Sequence, residues 1–381
     1  MNICYIVNNA DFFISHRLDL GIAARKKFEK ANLICPKIKD ATLRKIIDQK
    51  LSVTFSPNFH TEPSFRNIAG TVKMAISLAL SRESKHSLFH IITIKAILLF
   101  GLPLRALNRN AVFALSGMGT VFTSNKTRYR FARIVIRLLY TFLFNGKRST
   151  VIVQNEDDLN LLLSMGVHRE KIVKIMGSGV NPAKFPFKPK TISKDTALRI
   201  LVPARLIKEK GIYEACAASD FLNNNKIHHQ MLIAGTQDRG NPLSLSSKEI
   251  QRLQLKHPSV NFIGHIHPIH DELYKSSIVC LPSYREGLPK ALIEAFAAGR
   301  PVVTYDTVGC REIVSHEVTG LLAPLKSKKE LAEAIQHLYK NPYLTKKLTQ
   351  KAHDLFMREM STNTIIQKHF EIYEKIALTH N

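Results

Sequence analysis

The stretch from Ile278 to Asp306, IVCLPSYREGLPKALIEAFAAGRPVVTYD, decides the fold. Ile278 to Leu281 is a short unbroken apolar run, the pattern of a strand buried on both faces. A polar turn follows from Pro282 to Gly287, Pro289 stands near a first helical turn, Gly299 closes the helix, and Pro301 to Tyr305 reads as a second strand. The unit is strand, loop, helix, strand. Two carboxylates punctuate it: Glu286 in the loop and Glu294 on an otherwise apolar, Ala-rich helix, with seven residues between them. A charge on a buried helix surface is costly unless something hydrogen-bonds it, so Glu294 asks for a partner such as a bound polyol. The helix start adds backbone N–H groups at Leu288 and Lys290 and a positive dipole end, which together attract phosphate. A plain alternative reads the pair as a solvated loop Glu and an outward helix Glu. The combination with the phosphate-attracting helix end describes a nucleotide-sugar site.

Outward from this segment the chain alternates in the same way. The first half gives strands at Ile3–Val7, Asn32–Cys35, Ser52–Phe55, His90–Ile94, Ala111–Leu115 and Thr150–Val153, with helices near 16–28, 65–81, 127–144 and 156–164. A second alternation starts at Leu198–Val202 and runs through Met231–Ala234 and Val260–Ile263 to helices at Lys328–Lys340 and Leu344–Arg358, with a last helix over 361–378. Short apolar strands separated by helices imply parallel sheets covered on both faces. GSGVNPAKFPFKP, from Gly177 to Pro189, interrupts the rhythm and reads as a hinge. The expected domains are 1–180, joined by the C-terminal helix 361–381, and 181–360. Two doubly wound halves place ligands at the carboxyl ends of strands, in a crevice.

Composition bounds the function classes. At 381 residues a single core has stopped growing, so two domains are expected. With 55 Lys and Arg against 30 Asp and Glu, net +25, the chain favours polyanions: nucleotide diphosphates, anionic lipid surfaces or nucleic acid. Its five cysteines are widely spaced with no C-x-x-C pair, which supports neither a metal nor a disulfide framework and fits a reducing cytoplasm. MNICYIVNNADFF reads as a first strand rather than a signal peptide. Lys95, Gly101, Pro103 and Arg105 interrupt one apolar region, and Arg133 and Arg137 another, so no bilayer-spanning run of about 20 residues is expected.

Other residues gather around the same chemistry. Arg205 and Lys210 follow a strand in VPARLIKEKG, where a fixed cation pair would neutralise a diphosphate and the charge on its leaving group; Lys208 between them reads as exposed. Gly287 allows close backbone approach. His16 stands in FFISHRLDL at an expected helix start, and Lys95 in HIITIKA at the end of a strand. SGMGTVF, from Ser116 through Gly117 to Gly119, lacks the third Gly and the acidic ribose residue of a dinucleotide fingerprint, which argues against NAD. No D-x-D triplet follows a strand, and Glu156, Asp157 and Asp158 sit at a helix start where negative charge is favoured anyway. In the segment 128–148, Arg130, Arg133 and Arg137 lie on one side and Phe131, Ile134, Leu138 and Phe142 on another. Such a helix suits an anionic membrane surface, although any helix on a sheet also shows an apolar stripe.

The E-x7-E segment, the R-x4-K pattern at Arg205 and Lys210, the S-H-R at Ser15 to Arg17 and the S-G-x-G-x-x-F run resemble the family-4 retaining glycosyltransferases of the GT-B fold, among them bacterial enzymes of polysaccharide and lipid-linked oligosaccharide assembly. The resemblance implies two Rossmann-like domains facing a cleft. It implies that Glu286 lies by the donor sugar, that Glu294 holds the ribose hydroxyls and that Arg205 and Lys210 meet the diphosphate. Gly264, His265 and Ile266 would pack on the base, and Ser283, Gly287, Leu288, Pro289 and Lys290 would shape the loop over sugar and phosphate. His16 falls near donor phosphate or acceptor, with Lys95, Ser116, Gly117 and Gly119 on the acceptor side. The implied function is transfer of a hexose or N-acetylhexosamine from a nucleotide-diphosphate sugar, UDP first, to a lipid-diphosphate-linked saccharide in surface polysaccharide or O-antigen biosynthesis. No cofactor and no metal are expected. Expected partners are the donor, the lipid-linked acceptor and an anionic membrane surface, with the protein peripheral on the inner face of the cytoplasmic membrane. Rival readings are a GT-B sugar-nucleotide epimerase and a basic nucleic-acid binder, the latter lacking any recognisable zinc spacing, recognition helix or RNA motif.

Overall fold

The computed structural model describes residues 1–37, 44, 46, 48, 49, 51–58, 64–115, 117, 128–193, 195–238 and 240–378, with the backbone alone over 128–132. The chain divides into two compact units, Met1–Ser178 with Ile365–Asn381, and Gly179–Thr364.

The first unit runs β1 (Asn2–Val7), α1 (Ala10–His16), α2 (Leu18–Lys27), β2 (Lys30–Pro36), β3 (Ser52–Ser56), α3 (Phe65–Leu80), β4 (Ser87–Ile92), α4 (Ile94–Ala106), β5 (Asn110–Ala114), α5 (Arg128–Phe144), β6 (Ser149–Val153), α6 (Glu156–Ser164) and β7 (Ile172–Lys174). Its strands form one parallel sheet of order β3-β2-β1-β4-β5-β6-β7. Every residue of β4 and β5 is buried, as expected for largely apolar strands in a parallel sheet covered on both faces, with Ser87, His90 and Asn110 as the buried polar members. One face is covered by α3 to α6 over Phe89, Ile91 and Phe113. The other carries α1 and α2 over Tyr5, Leu33 and Ile92.

Two expectations fail in this unit. The helix expected from His16 onward begins earlier and breaks: Asn9 caps α1 by accepting from Phe12 N at 3.1 Å, Arg17 is the junction with φ −134°, and α2 follows. His16 is therefore the last residue of α1, not a helix start. The strand expected to run to Ile94 ends at Ile92, and Lys95 lies in the first turn of α4. That helix runs through Pro103. Gly101 lets it lie against the sheet, since a Cβ there would stand 3.0 Å from Phe113 Cε1.

The second unit runs β8 (Leu198–Pro203), α7 (Ile212–Asn224), β9 (His229–Ala234), α8 (Ser247–Lys256), β10 (Val260–Gly264), α9 (His270–Lys275), β11 (Ile278–Leu281), α10 (Lys290–Ala298), β12 (Val302–Tyr305), α11 (Cys310–Ile313), β13 (Leu321–Ala323), α12 (Lys328–Lys340) and α13 (Pro342–Leu355). Its sheet is parallel in the order β10-β9-β8-β11-β12-β13. Buried Arg300, 2% exposed, pins α9 and α10: its guanidinium donates to Leu273 O (3.0 Å), Lys188 O (2.7 Å), Gly299 O (2.8 Å) and Tyr274 O (3.2 Å). After a π-helical turn at Phe356–Met360, α14 (Thr362–Leu378) supplies Ile365, Ile372 and Tyr373 to the core of the first unit.

In each sheet the strand order reverses at one place, between β1 and β4 and between β8 and β11. At such a switch point the loops leaving adjacent strands diverge and open a crevice beyond their carboxyl ends.

Candidate active site

At the switch point of the second unit, Lys210 from the loop after β8 meets Glu286 from the loop after β11. Their Nζ–Oε1 distance is 2.5 Å, and both side chains are mostly buried, at 14% and 16% exposure. Backbone geometry holds the two loops together. Gly211, with φ +68°, follows Lys210 and packs so closely that a Cβ would fall 2.0 Å from Pro282 O. Tyr284 N donates to Glu209 O at 2.9 Å and Glu286 N to Val308 O at 3.1 Å. Gly309, with φ +82°, brings the next loop in, where a Cβ would lie 2.5 Å from Glu286 O. Both glycines stand at positions that sterics all but reserve for that residue.

Eight residues beyond Glu286, Glu294 lies on α10, its carboxylate 3.9 Å from Lys290 Nζ with 16% side-chain exposure. Burial pushes its carboxyl above the usual range, and Lys290 opposes the shift. Pro289 is the N-cap of α10, and no side chain caps that end. No acidic residue lies in its first turn, so the local field there is positive. Ser283 Oγ is enclosed beneath the loop, with no hydrogen-bond partner among the described residues. Gly287 and Leu288 are half-buried and Pro289 is buried.

Arg205 is not part of this pair. Its Nη1 binds Asp238 Oδ2 at 2.5 Å, and its side chain is 60% exposed. It leaves β8 beside β9, where Gly235 lets the backbone close to 1.9 Å between a notional Cβ and Ala204 O. Gly264, His265 and Ile266 stand at the end of β10, with β9 between that strand and β8. Gly264 has φ +71° and open space where a Cβ would be, and the His265 and His267 rings lie parallel at 6.4 Å. The structure thus joins Lys210 to Glu286 and sets Glu294, Arg205 and the Gly264–Ile266 segment on neighbouring elements, each with a different immediate partner.

In the first unit the corresponding reversal brings the ends of β1 and β4 together. His16 is half-buried on α1, stacked on Phe12 at 4.4 Å with Ser15 Oγ 2.7 Å from Nδ1. Lys95 is exposed at the start of α4. Gly117 has φ +123°, and no atom of the described residues lies within 4 Å of where its Cβ would be. Ser116, Met118 and Gly119 lie outside the described residues.

Several residues of interest were not visible in sequence. Thr93, the N-cap of α4, has φ +81° and ψ 148°, a region that a β-branched residue rarely enters. Its Oγ1 is enclosed and has no partner among the described residues. A strained residue leaves no mark in a sequence, because the surroundings impose the strain. Glu214, 7% exposed on α7, lies close enough to Tyr284 that its charge adds to burial in pushing the phenol's pKa up, and Lys326 Nζ lies 4.9 Å over the same ring. Arg17 is buried and donates to Gly177 O at 3.3 Å beside Tyr5, His90, His369 and Tyr373.

Residues 184–354 match the family described as Glycosyl transferases group 1. The chain carries a glycosyltransferase group 1 domain. It is 28% identical over 275 residues, 69% of its length and 70% of the relative's, to the N,N'-diacetylbacillosaminyl-diphospho-undecaprenol alpha-1,3-N-acetylgalactosaminyltransferase of Campylobacter jejuni. To the amylovoran biosynthesis glycosyltransferase AmsK of Erwinia amylovora it is 31% identical over 187 residues, 46% of this chain and 44% of that one. Among solved structures, Anabaena HepE in complex with UDP and glucose aligns with a TM-score of 0.75 at 18% identity, covering 98% of this chain and 100% of that chain. Sucrose-phosphate synthase from Thermosynechococcus elongatus aligns with a TM-score of 0.76 at 18% identity over 100% of both. At that identity the structures speak for the fold, which is GT-B: two parallel-sheet Rossmann-like units. Together with the group 1 domain, the relatives make this chain a hexosyl-transferring enzyme, akin to bacterial polysaccharide and lipid-linked-saccharide glycosyltransferases.

Proposed function

We propose that the chain is a retaining glycosyltransferase that moves a hexose or N-acetylhexosamine from a UDP-sugar to a lipid-diphosphate-linked saccharide in surface polysaccharide or O-antigen assembly. The observation that carries the reading is the Lys210–Glu286 ion pair at the switch point, followed by Glu294 on the helix that the Glu286 loop enters. Lys210 is placed to offset charge on the leaving diphosphate. Glu286 orients the sugar, and Glu294 takes the ribose hydroxyls as the hydrogen-bond partners its buried position calls for. Gly264 to Ile266 take the base. Arg205, exposed on Asp238, serves the diphosphate by exchanging that partner for phosphate, a stronger bidentate acceptor.

In the transfer step the bond from the anomeric carbon to the donor phosphate oxygen breaks. The acceptor hydroxyl oxygen bonds to the same face, and its proton passes to the departing phosphate. Glu286 has its immediate bond to Lys210, which suits positioning rather than attack. The proposal extends to His16 as a catalytic group near donor phosphate or acceptor, to Lys95 and Gly117 on the acceptor side, to turnover without a metal, and to a peripheral place on the inner face of the cytoplasmic membrane. A lipid-linked acceptor is supported by the activity of the Campylobacter relative, and UDP by the ligand of the HepE structure.

A panel of nucleotide sugars read by thermal shift tests the donor assignment, because a ligand at one hundred times its dissociation constant stabilises a fold by about 2.7 kcal/mol. UDP-sugars are expected to raise the unfolding temperature of the wild type and to release UDP when a lipid-diphosphate saccharide is added, with or without a chelator. No shift with any UDP-sugar would remove the donor assignment, and loss of turnover with chelator would remove the metal-free step.

A further inference from the structure

Helix α3 is apolar on two sides: Met74 and Leu78 pack half-buried against the core of the sheet, and other large residues face outward. Its fully buried residues are the small ones, Thr71, Ala75 and Ala79, whereas Phe65 is 88%, Ile76 45% and Leu80 63% exposed. A helix on a sheet ordinarily turns its large apolar residues inward. Helix α5 shares the habit in part: Tyr140, Leu143 and Phe144 are buried, while Ile134 is 58%, Leu138 67% and Phe142 48% exposed. Both helices cover the same face of the first unit's sheet, where Ala75, Ala79, Leu143 and Phe144 belong to one core cluster. Helix α4 lies between them and touches both, with Leu98 and Leu102 half-buried on it. The exposed apolar side chains thus form stripes on neighbouring helices rather than isolated residues, which is the pattern of an interaction surface.

The charge on these helices is of one sign. The segments FRNIAGTVKMAISLAL, IKAILLFGLPLRA and RYRFARIVIRLLYTFLF contain no Asp or Glu, while Arg66, Lys73, Arg105 and Arg137 stand among the apolar stripes. Among the described residues no helix is long and apolar enough to cross a membrane, so a bilayer contact here lies in the plane of the interface.

We propose that this face of the first unit, centred on α3, docks on the headgroup region of an anionic phospholipid bilayer. Phe65, Ile76, Leu80, Leu138 and Phe142 enter the acyl boundary and the Lys and Arg residues meet the headgroup phosphates. The biological setting rests on the lipid-linked acceptor of the proposed function; the physical surface does not. A second copy of the chain is a poorer occupant, because it would set an acid-free basic face against a molecule of net charge +25 and repel it.

The test is flotation of the full chain with vesicles of phosphatidylethanolamine containing phosphatidylglycerol, compared with phosphatidylcholine alone. The wild type is expected to float with the anionic vesicles, and added salt to weaken binding without abolishing it. The variant Ile76→Ser/Leu80→Ser/Leu138→Ser is expected to lose roughly tenfold or more in vesicle affinity. Its unfolding temperature and its thermal shift with UDP-sugar should stay unchanged, since the three positions are exposed. Wild-type binding that ignores the anionic lipid, or a variant that binds like the wild type, overturns the proposal. So does concentration-dependent dimerisation that the variant abolishes, since a second copy would then be the occupant. A protein that floats but transfers no sugar leaves this surface standing and removes the proposed function; one that glycosylates a detergent-held acceptor but ignores vesicles does the reverse.

Discussion

Lys210 and Glu286 lie 76 positions apart in the chain and meet at 2.5 Å, each more than four-fifths buried. Removing one partner of a buried pair strands the other charge, which costs about 3 kcal/mol or more. Lys210→Ala and Glu286→Ala are therefore each expected to lower kcat by roughly a hundredfold or more, and the double variant to be little worse than either alone, because the two act as a unit. Steady-state kinetics of the four proteins checks this, and additive losses would show that the pair does not act together.

Glu294 gives a pH signature. Its folded pKa is raised above 4.5 by burial, so the stability it contributes is complete below about pH 4.5 and is lost as pH rises through the raised value. Glu294→Gln is expected to stabilise the ligand-free protein at neutral pH and to flatten that dependence. The same change should raise the KM for the donor by roughly tenfold while kcat falls less, because a neutral amide accepts ribose hydroxyls more weakly. Thermal unfolding across pH and donor titration read the two effects separately.

Gly309, in the loop after β12, is where the backbone closes on the Glu286 loop. A methyl group there would sit 2.5 Å from Glu286 O and 2.7 Å from Gly287 O, at φ +82°. Gly309→Ala is expected to cost about 1–3 kcal/mol of stability and to lower kcat more than Lys328→Ala, a substitution at an exposed position of α12. Circular dichroism and turnover measured on both variants check it.

In the first unit, burial depresses both His90 and His369, the latter to about 3, with Arg17 adding to each shift. These histidines stay neutral in the fold, so the stability they permit is present above their ordinary value of 6.5 and is lost as pH falls from there toward the folded value. Each proton taken up on unfolding steepens the loss by about 1.4 kcal/mol per pH unit. Denaturant midpoints from pH 7 downward are expected to fall, and His369→Gln to reduce the slope.

Thr93 offers a test of strain. Thr93→Gly would relieve a conformation that suits glycine while removing the enclosed Oγ1. The expected outcome is unchanged or raised stability with reduced transfer to acceptor and an unaltered thermal shift with UDP-sugar; intact transfer would make the strain merely structural.

The parts of the fold that sequence exposed are those with local causes. Ile278–Leu281 and Val302–Tyr305 are apolar runs bounded by Pro and Gly, and they are strands. Lys210, Glu286 and Glu294 stood out because charged residues at strand ends and on an apolar helix need a reason. What stayed hidden had tertiary causes. Gly101 and Pro103 read only as breaks in a bilayer-spanning run, and the helix α4 that contains them went unread; the close packing of Gly101 on Phe113 is a tertiary contact. The break at Arg17 comes from burial of a guanidinium among Tyr5, His90 and Tyr373, contributed by three separate elements. For α3 the period was plain but its facing was not: Ala75 and Ala79 lie inward with Met74 and Leu78 packed on the core, and Ile76 and Leu80 lie outward, a division that hydrophobicity alone does not make.

The central claim is that the second unit's Lys210–Glu286 site directs transfer of a sugar from a UDP donor with retention of its configuration. Proton NMR of the product formed from an α-linked UDP-sugar and a lipid-diphosphate saccharide measures it directly. The expected result is an α-linked product with one UDP released per transfer, both lost in Glu286→Ala. A β-linked product, or equal UDP release by the Glu286→Ala variant, would contradict it.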